Sequence, residues 1–91
     1  MNIIRIGTEE RNICIDTENI LCIHAAYTDP LHYGSLPCYS FKVTVKYRND
    51  PIVIGIENAT REACNELRER LITAWKEQLP FPIEVDGVYS R

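Results

Sequence analysis

The chain has 91 residues, of which 45% are hydrophobic and 25% are charged, and its formal net charge is −3. This length fits a single domain, 1–91, and the composition is too apolar for a disordered chain. The negative charge argues against general nucleic-acid binding, because that affinity depends largely on neutralising phosphates. No apolar stretch approaches the length that a membrane span needs, so we predict no membrane span.

The four cysteines form no C-x-x-C pair, and the two histidines do not fall at zinc-finger spacing from them. We predict four reduced thiols that act mainly as small apolar side chains, without a metal or another cofactor. A disulfide or a metal site is the alternative interpretation. The chain shows no secretory signal, because the apolar run at its start is short and lacks a cleavage site. These features predict a cytoplasmic protein.

Alternating apolar residues and polar turns predict two strands near the start of the chain, at about 2–7 and 12–16. A third strand is predicted at about 20–27. One of its faces would carry Leu21, Ile23, Ala25 and Tyr27, and the other would carry Ile20, Cys22, His24 and Ala26. A strand that is apolar on both faces is either central in its sheet or meets a partner. We therefore predict the second of these faces as an oligomer contact.

A long stretch, 28–38, follows this strand and contains two prolines and a glycine. It exceeds the usual hairpin loop, and long loops are more often functional than short ones. Aromatic and apolar residues in and around this loop form a predicted binding surface: Tyr27, His32, Tyr33, Leu36 and Tyr39. The alternative is a structural loop whose Leu36 and Tyr39 tuck under the sheet.

The fourth and fifth strands are predicted at about 39–48 and 52–57, joined as a hairpin. In the fourth strand Phe41, Val43, Val45 and Tyr47 would face the core. The opposite face would carry a basic row of Lys42, Lys46 and Arg48, spaced by about 7 Å for each two-residue step. This row is either a site for a small anionic ligand or a solvated face whose lysines prevent edge pairing.

The clearest element is a C-terminal helix at about 60–79, with Thr60 or Asn58 as its N-cap. Apolar residues repeat along it at a period of 3.6, and Trp75 completes that stripe. The tail, 80–91, is either a last extended segment along a sheet edge or an arm that reaches a neighbouring subunit. The chain is thus predicted to be α+β, an antiparallel sheet of five to six strands with one amphipathic helix packed on it, like a half-barrel.

The order of the last strands and the helix resembles the C-terminal half of the pleckstrin-homology-like fold. The resemblance is carried by 41–47, 52–56 and the helix residues Leu67, Leu71 and Trp75. A tryptophan in that helix is typical of the family. The chain lacks the basic loop that phosphoinositide binders of the family use, so lipid binding is not implied. The resemblance implies a scaffold used mainly for binding, similar to small proteins of bacteria and phages.

Catalytic constellations are not recognisable. The serines lack the G-x-S-x-G setting, the glycines form no phosphate loop, and the acidic residues form no acid–base pair. Cys38 and His32 could form a thiol–imidazole pair, which we weigh against an ordinary loop. We therefore predict a non-catalytic binding module that acts through protein–protein contacts, including self-association as a homo-oligomer. The alternative is a receptor or sequestering protein for a small anionic ligand such as a nucleotide.

Overall fold

The computed structural model describes residues 1–29 and 38–91, and it confirms the α+β prediction. The elements in chain order are β1 (Ile3–Gly7), β2 (Asn12–Asp16), a 3-10 turn (Thr17–Asn19), β3 (Ile20–Ile23), β4 (Tyr27–Thr28), β5 (Tyr39–Val45), β6 (Ile52–Ile56), α1 (Arg61–Glu77) and β7 (Val88–Ser90). The pairing is antiparallel. It gives a two-stranded sheet, β1–β2, and a five-stranded sheet in the order β3–β5–β6–β7, with β4 beside β5.

One hydrophobic core lies against a single face of the five-stranded sheet, which we call the inner face. Its most deeply buried residues are Phe41, Val43, Val45, Ile54 and Val88 from the sheet, Ile4, Ile6 and Ile15 from β1–β2, and Cys64, Leu67, Leu71 and Ala74 from α1. Because all of them belong to one cluster, the helix and the β1–β2 hairpin cover the same face. The opposite, outer face of the sheet carries neither.

The helix begins as the sequence predicts. Thr60 is extended, and its side-chain oxygen accepts a hydrogen bond from the Ala63 amide at 3.2 Å, which satisfies one of the amides left unpaired at a helix start. At the other end, Gln78 adopts the left-handed conformation with φ 53° and caps the helix. Trp75, predicted for the core, is half-buried and packs against it.

The predicted third strand is wrong in its length and in its alternation. β3 ends at Ile23, and the register shifts between Ile20 and Cys22, so that Leu21 is an extra residue in a β-bulge. The bulge turns both Ile20 and Ile23 into the core, where they are 5% and 8% exposed, while Leu21 is 55% exposed. The two faces predicted for this strand are therefore wrong, because the alternation of its side chains is interrupted at Leu21.

The predicted fourth strand is also too long at its end. β5 stops at Val45, and the next amide, that of Lys46, donates to the Asn19 carbonyl instead of continuing the sheet. Tyr47 and Arg48 lie in the turn that follows, and Tyr47 is 58% exposed rather than in the core.

The tail returns to the sheet. β7 pairs antiparallel with β6, with Val88 opposite Ile56 and Ser90 opposite Ile54. Before that strand, Ile83 bridges β1 through bonds to the carbonyl of Arg5 and the amide of Gly7, at 2.8 and 2.9 Å. Of the two predicted roles for the tail, the structure thus shows the extended segment along a sheet edge.

Candidate functional site

The outer face is defined by the residues that alternate with the core positions. In β5 these are Ser40, Lys42 and Thr44, and the register places Tyr27, Gly55 and Tyr89 on the same side. Ser40 is fully buried, although neither α1 nor the β1–β2 hairpin lies on this face. Among the described residues, the side chains of Asp29 and Tyr89 contact its hydroxyl.

Those neighbours form a polar cluster around a buried carboxylate, which we call the Asp29 cluster: Asp29, Ser40, Tyr89 and Arg91. The Ser40 hydroxyl donates to Asp29 Oδ2 at 2.9 Å, and the Tyr89 hydroxyl donates to the same oxygen at 3.0 Å. The Arg91 guanidinium pairs with it as well. The Asp29 side chain is 0% exposed and that of Arg91 is 33% exposed. A buried carboxylate is tolerated only with such partners.

Gly55 makes room for this cluster. A Cβ at this position would lie 2.4 Å from Cζ of Tyr89, well inside contact distance. The ring of Tyr89 therefore lies flat against the backbone of β6. From there its hydroxyl reaches Ser40 at 2.6 Å across the sheet. A glycine inside a strand marks this kind of close approach.

Burial and the Asp29 carboxylate shift the pKa values of two groups in the cluster. Burial, reinforced by the Asp29 carboxylate, raises the pKa of Tyr89 to about 12, although its bond to Ser40 opposes this. The hydrogen bond to Asp29 raises the pKa of Arg91 further above its ordinary value. At neutral pH Tyr89 is therefore a hydroxyl donor and Arg91 a cation. The cluster as described stabilises a carboxylate and offers no deprotonated phenol as a base.

The cluster includes Asp29, which with Cys38 flanks residues 30–37 of the predicted loop. The Asp29 amide donates to the Cys38 carbonyl at 2.8 Å, so the two ends of the loop are bonded to each other. The Asp29 side chain ties this junction to β7 through Tyr89. The tail and the sheet together therefore fix both ends of the loop.

The predicted binding residues are only partly brought together. His32, Tyr33 and Leu36 lie outside the described residues. Tyr27 is half-buried on the outer face, with the Lys42 ammonium 5.4 Å from its ring centroid. Burial is the main reason that the pKa of Tyr27 is raised. Tyr39 is on the inner face, and Cζ of Arg61 lies 5.2 Å from its ring centroid.

The basic row predicted from the sequence is not formed. Lys42 projects from the outer face, but Lys46 and Arg48 lie beyond the end of β5, in the exposed turn before β6. The alternation that predicted the row does not continue past Val45, since the strand stops there.

The predicted oligomer face is divided by the β-bulge. Ile20 is in the core, and Ala26 is half-buried against it. Cys22 and His24 are exposed, and His24 Nε2 lies 3.0 Å from the Thr44 hydroxyl on β5. On the helix side, Arg68 Nε donates to the His24 carbonyl at 2.6 Å. Only the middle of the predicted face is therefore exposed.

A slot of 250 Å³ separates β2 from β7 and is lined by Arg11, Asn12, Ile13, Val88, Tyr89 and Ser90. Arg11, one of these lining residues, donates to both carboxylate oxygens of Glu57, at 2.8 and 3.2 Å. The slot is smaller than the usual ligand pocket of at least about 300 Å³.

Sequence reasoning missed the Asp29 cluster, because its members come from three separate parts of the chain. Its partners are 11, 60 and 62 residues from Asp29. The one local signal was Gly55, a glycine inside an otherwise β-branched strand.

Among the described residues, no helix is long and apolar enough to cross a membrane. Comparison with protein-family models, with curated proteins and with solved structures finds no match to this chain. The resemblance to the pleckstrin-homology-like fold therefore stays a prediction.

Proposed function

We propose that this chain is a non-catalytic binding module that acts through protein–protein contacts, self-association included, in the cytoplasm. The observation that supports this best is the bond between the Asp29 amide and the Cys38 carbonyl, the described residues that flank 30–37 in the predicted binding loop. The Asp29 cluster then joins this junction to the sheet and to the tail. Binding residues are often carried on loops that a rigid scaffold positions.

The chemistry of the described residues favours binding over catalysis. Tyr89 keeps its proton at neutral pH, since its pKa is raised to about 12. Asp29 accepts hydrogen bonds from three donors in the cluster. These bonds hold the junction between Asp29 and Cys38 against the sheet and the tail. A general base needs a pKa near the working pH, and the raised pKa of Tyr89 lies well above neutral pH.

The test combines loop and control variants. His32→Ala with Tyr33→Ala changes the predicted contact residues, while Glu77→Ala on the exposed end of α1 serves as the control. Affinity capture from the native host should yield a partner that the control retains and the loop variant loses. Capture that is equal for both variants, or no reproducible partner in repeated trials, would overturn the proposal.

A second candidate is a receptor for a small anionic ligand such as a nucleotide, supported by the contact of Lys42 with the Tyr27 ring at 5.4 Å. A cation beside an aromatic face suits a phosphate next to a stacked base. A ligand that binds the folded state raises the melting temperature. A nucleotide panel should therefore shift it, and Lys42→Glu should abolish the shift while Lys76→Glu should not. No shift with any nucleotide removes this candidate.

A further inference from the structure

The strand β7 is short and is attached to the sheet on one side. In the described part of the chain its backbone pairs with β6 alone, and a slot of 250 Å³ lies between β7 and β2. Among the described buried residues of the core, only Val88 comes from this strand. Peripheral elements with few buried contacts open locally in native proteins while the remainder stays folded. Release of β7 therefore leaves most of the core packed.

The junction between Asp29 and Cys38 also lies beside the core. Cys38 is buried, yet it is not a member of the core cluster formed by the described residues. The junction is made by the bond of the Asp29 amide to the Cys38 carbonyl, at 2.8 Å. It directly follows the pairing of Thr28 with Tyr39, where β4 meets β5. Opening of this junction therefore breaks contacts at the border of the sheet and leaves the inner face covered.

The Asp29 carboxylate connects the junction to β7. It accepts from the Tyr89 hydroxyl at 3.0 Å and pairs with the Arg91 guanidinium, and both donors leave with the strand if β7 is released. The Asp29 side chain is 0% exposed, so the loss of these partners makes its burial unfavourable. A carboxylate that turns to water pulls on the amide of the same residue. Release of β7 thus weakens the bond between Asp29 and Cys38.

We propose that β7 and the junction of Asp29 with Cys38 open and close as one unit, so that the position of the tail strand regulates the residues that flank the predicted binding loop. The coupling is reciprocal, because opening of the junction takes the carboxylate away from Tyr89 and Arg91 and favours release of β7 by the same free energy. Regulation of binding rests on the proposed function, whereas the coupling is a property of the chain alone.

Native-state hydrogen exchange, followed by NMR on the full chain, reports the two parts of the unit separately. The Val53 amide donates to the Arg91 carbonyl at 3.0 Å, so its exchange reports release of β7. The Asp29 amide reports the junction. The Lys46 amide, which donates to the Asn19 carbonyl at 2.9 Å on the β3 side of the sheet, is the internal reference.

Arg91→Ala removes one donor to the Asp29 carboxylate. It should raise the exchange rates of the Val53 and Asp29 amides by the same factor of about ten, as expected for the loss of one hydrogen bond to a charged group. The rate of the Lys46 amide should not change. Tyr89→Phe should act in the same way. Ser90→Ala is the matched control, since it alters an exposed side chain of the same strand, and all three rates should stay those of the parent chain.

A rise at only one of the two amides, Val53 or Asp29, would overturn the proposal, because the strand and the junction would then open separately. An equal rise at all three amides would overturn it as well, since the whole chain would then open together. So would unchanged rates in both cluster variants, or the same rise in Ser90→Ala. The capture experiment with the loop variant measures partner binding and not these rates, so the coupling and the proposed function fail separately.

Discussion

At the scale of single residues, the Tyr89 hydroxyl is the group that joins the tail to the loop junction. It bonds Asp29 at 3.0 Å and Ser40 at 2.6 Å. Tyr89→Phe removes both bonds and leaves Asp29 with one donor fewer. Hydrogen bonds to charged groups contribute about 1.5–3 kcal/mol, so we expect the free energy of unfolding to fall by about 2 kcal/mol.

Urea denaturation measures this change, and Tyr47→Phe is the matched control because Tyr47 is 58% exposed. That variant should stay within about 0.5 kcal/mol of the parent chain. Equal stability of both variants and the parent would show that the Asp29 cluster does not hold the tail.

Gly55→Ala tests the close approach of the ring to β6. The new Cβ would lie 2.4 Å from Tyr89 Cζ, so the ring must move and its bonds to Ser40 and Asp29 must lengthen. Overpacking of this kind typically costs about 1–3 kcal/mol. In a double-mutant cycle with Tyr89→Ala, most of that cost should disappear, because the clash is with the ring. An unchanged cost in the Tyr89→Ala background would place the strain elsewhere.

Some single residues were predictable and others were not, for a physical reason. Thr60 was identified as a cap because capping depends on a few adjacent residues. Asp29 could not be identified, since its partners lie up to 62 residues away and no local pattern marks them. The predicted binding role of His32, Tyr33 and Leu36 stays a prediction.

At the scale of elements, β5 shows where alternation suffices. Its inward Phe41, Val43 and Val45 contrast with the outward Lys42 and Thr44, so only one register buries the apolar side. β3 lacks this contrast, because its four residues are all apolar, so every register would bury apolar side chains. The bulge lies in the register of β3 against β5, which the sequence of β3 by itself cannot show.

Deletion of Leu21 tests this account of β3. The paired residues on either side, Ile20 with Val45 and Cys22 with Thr44, would then follow each other without a shift. Both Ile20 and Ile23 would still face the core, so we expect a folded chain with a stability change below about 1 kcal/mol.

The matched control deletes Lys42, which is equally exposed but lies between two core residues of β5. That deletion slips the strand by one residue and turns part of its apolar side to solvent, so the chain should fail to fold. Thermal melting and the dispersion of amide NMR signals distinguish the outcomes. If the Leu21 deletion also unfolds the chain, the bulge carries a structural role beyond register.

At the scale of the whole molecule, the residues after α1 meet the β1–β2 hairpin along both of its sides. Ile83 bridges β1 on one side of the hairpin, while on the other side a slot separates β2 from β7. Arg11, which lines that slot, makes a bidentate contact with Glu57 just after β6. The hairpin is therefore attached by its buried isoleucines and by Ile83 more than by a continuous sheet.

Alkaline pH should destabilise the whole chain over a defined interval. Burial raises the pKa of Cys64 from 9.0 to about 11, and burial with Asp29 raises the pKa of Tyr89 from 10.0 to about 12. Between the unfolded and the folded pKa of each group, the unfolded chain has released a proton that the folded chain still holds. The free energy of unfolding must then fall as the pH rises, from about pH 9 to about pH 12.

Urea midpoints measured from pH 8 to pH 12 check this dependence. Cys64→Ala should flatten the decline between about pH 9 and pH 11, and Tyr89→Phe should flatten it between about pH 10 and pH 12, since each removes one of the shifted groups. Cys14→Ser and Tyr47→Phe alter exposed residues of the same types and should follow the parent slope. If all five chains lose stability in parallel, the decline comes from the total charge of the molecule, and neither buried group controls it.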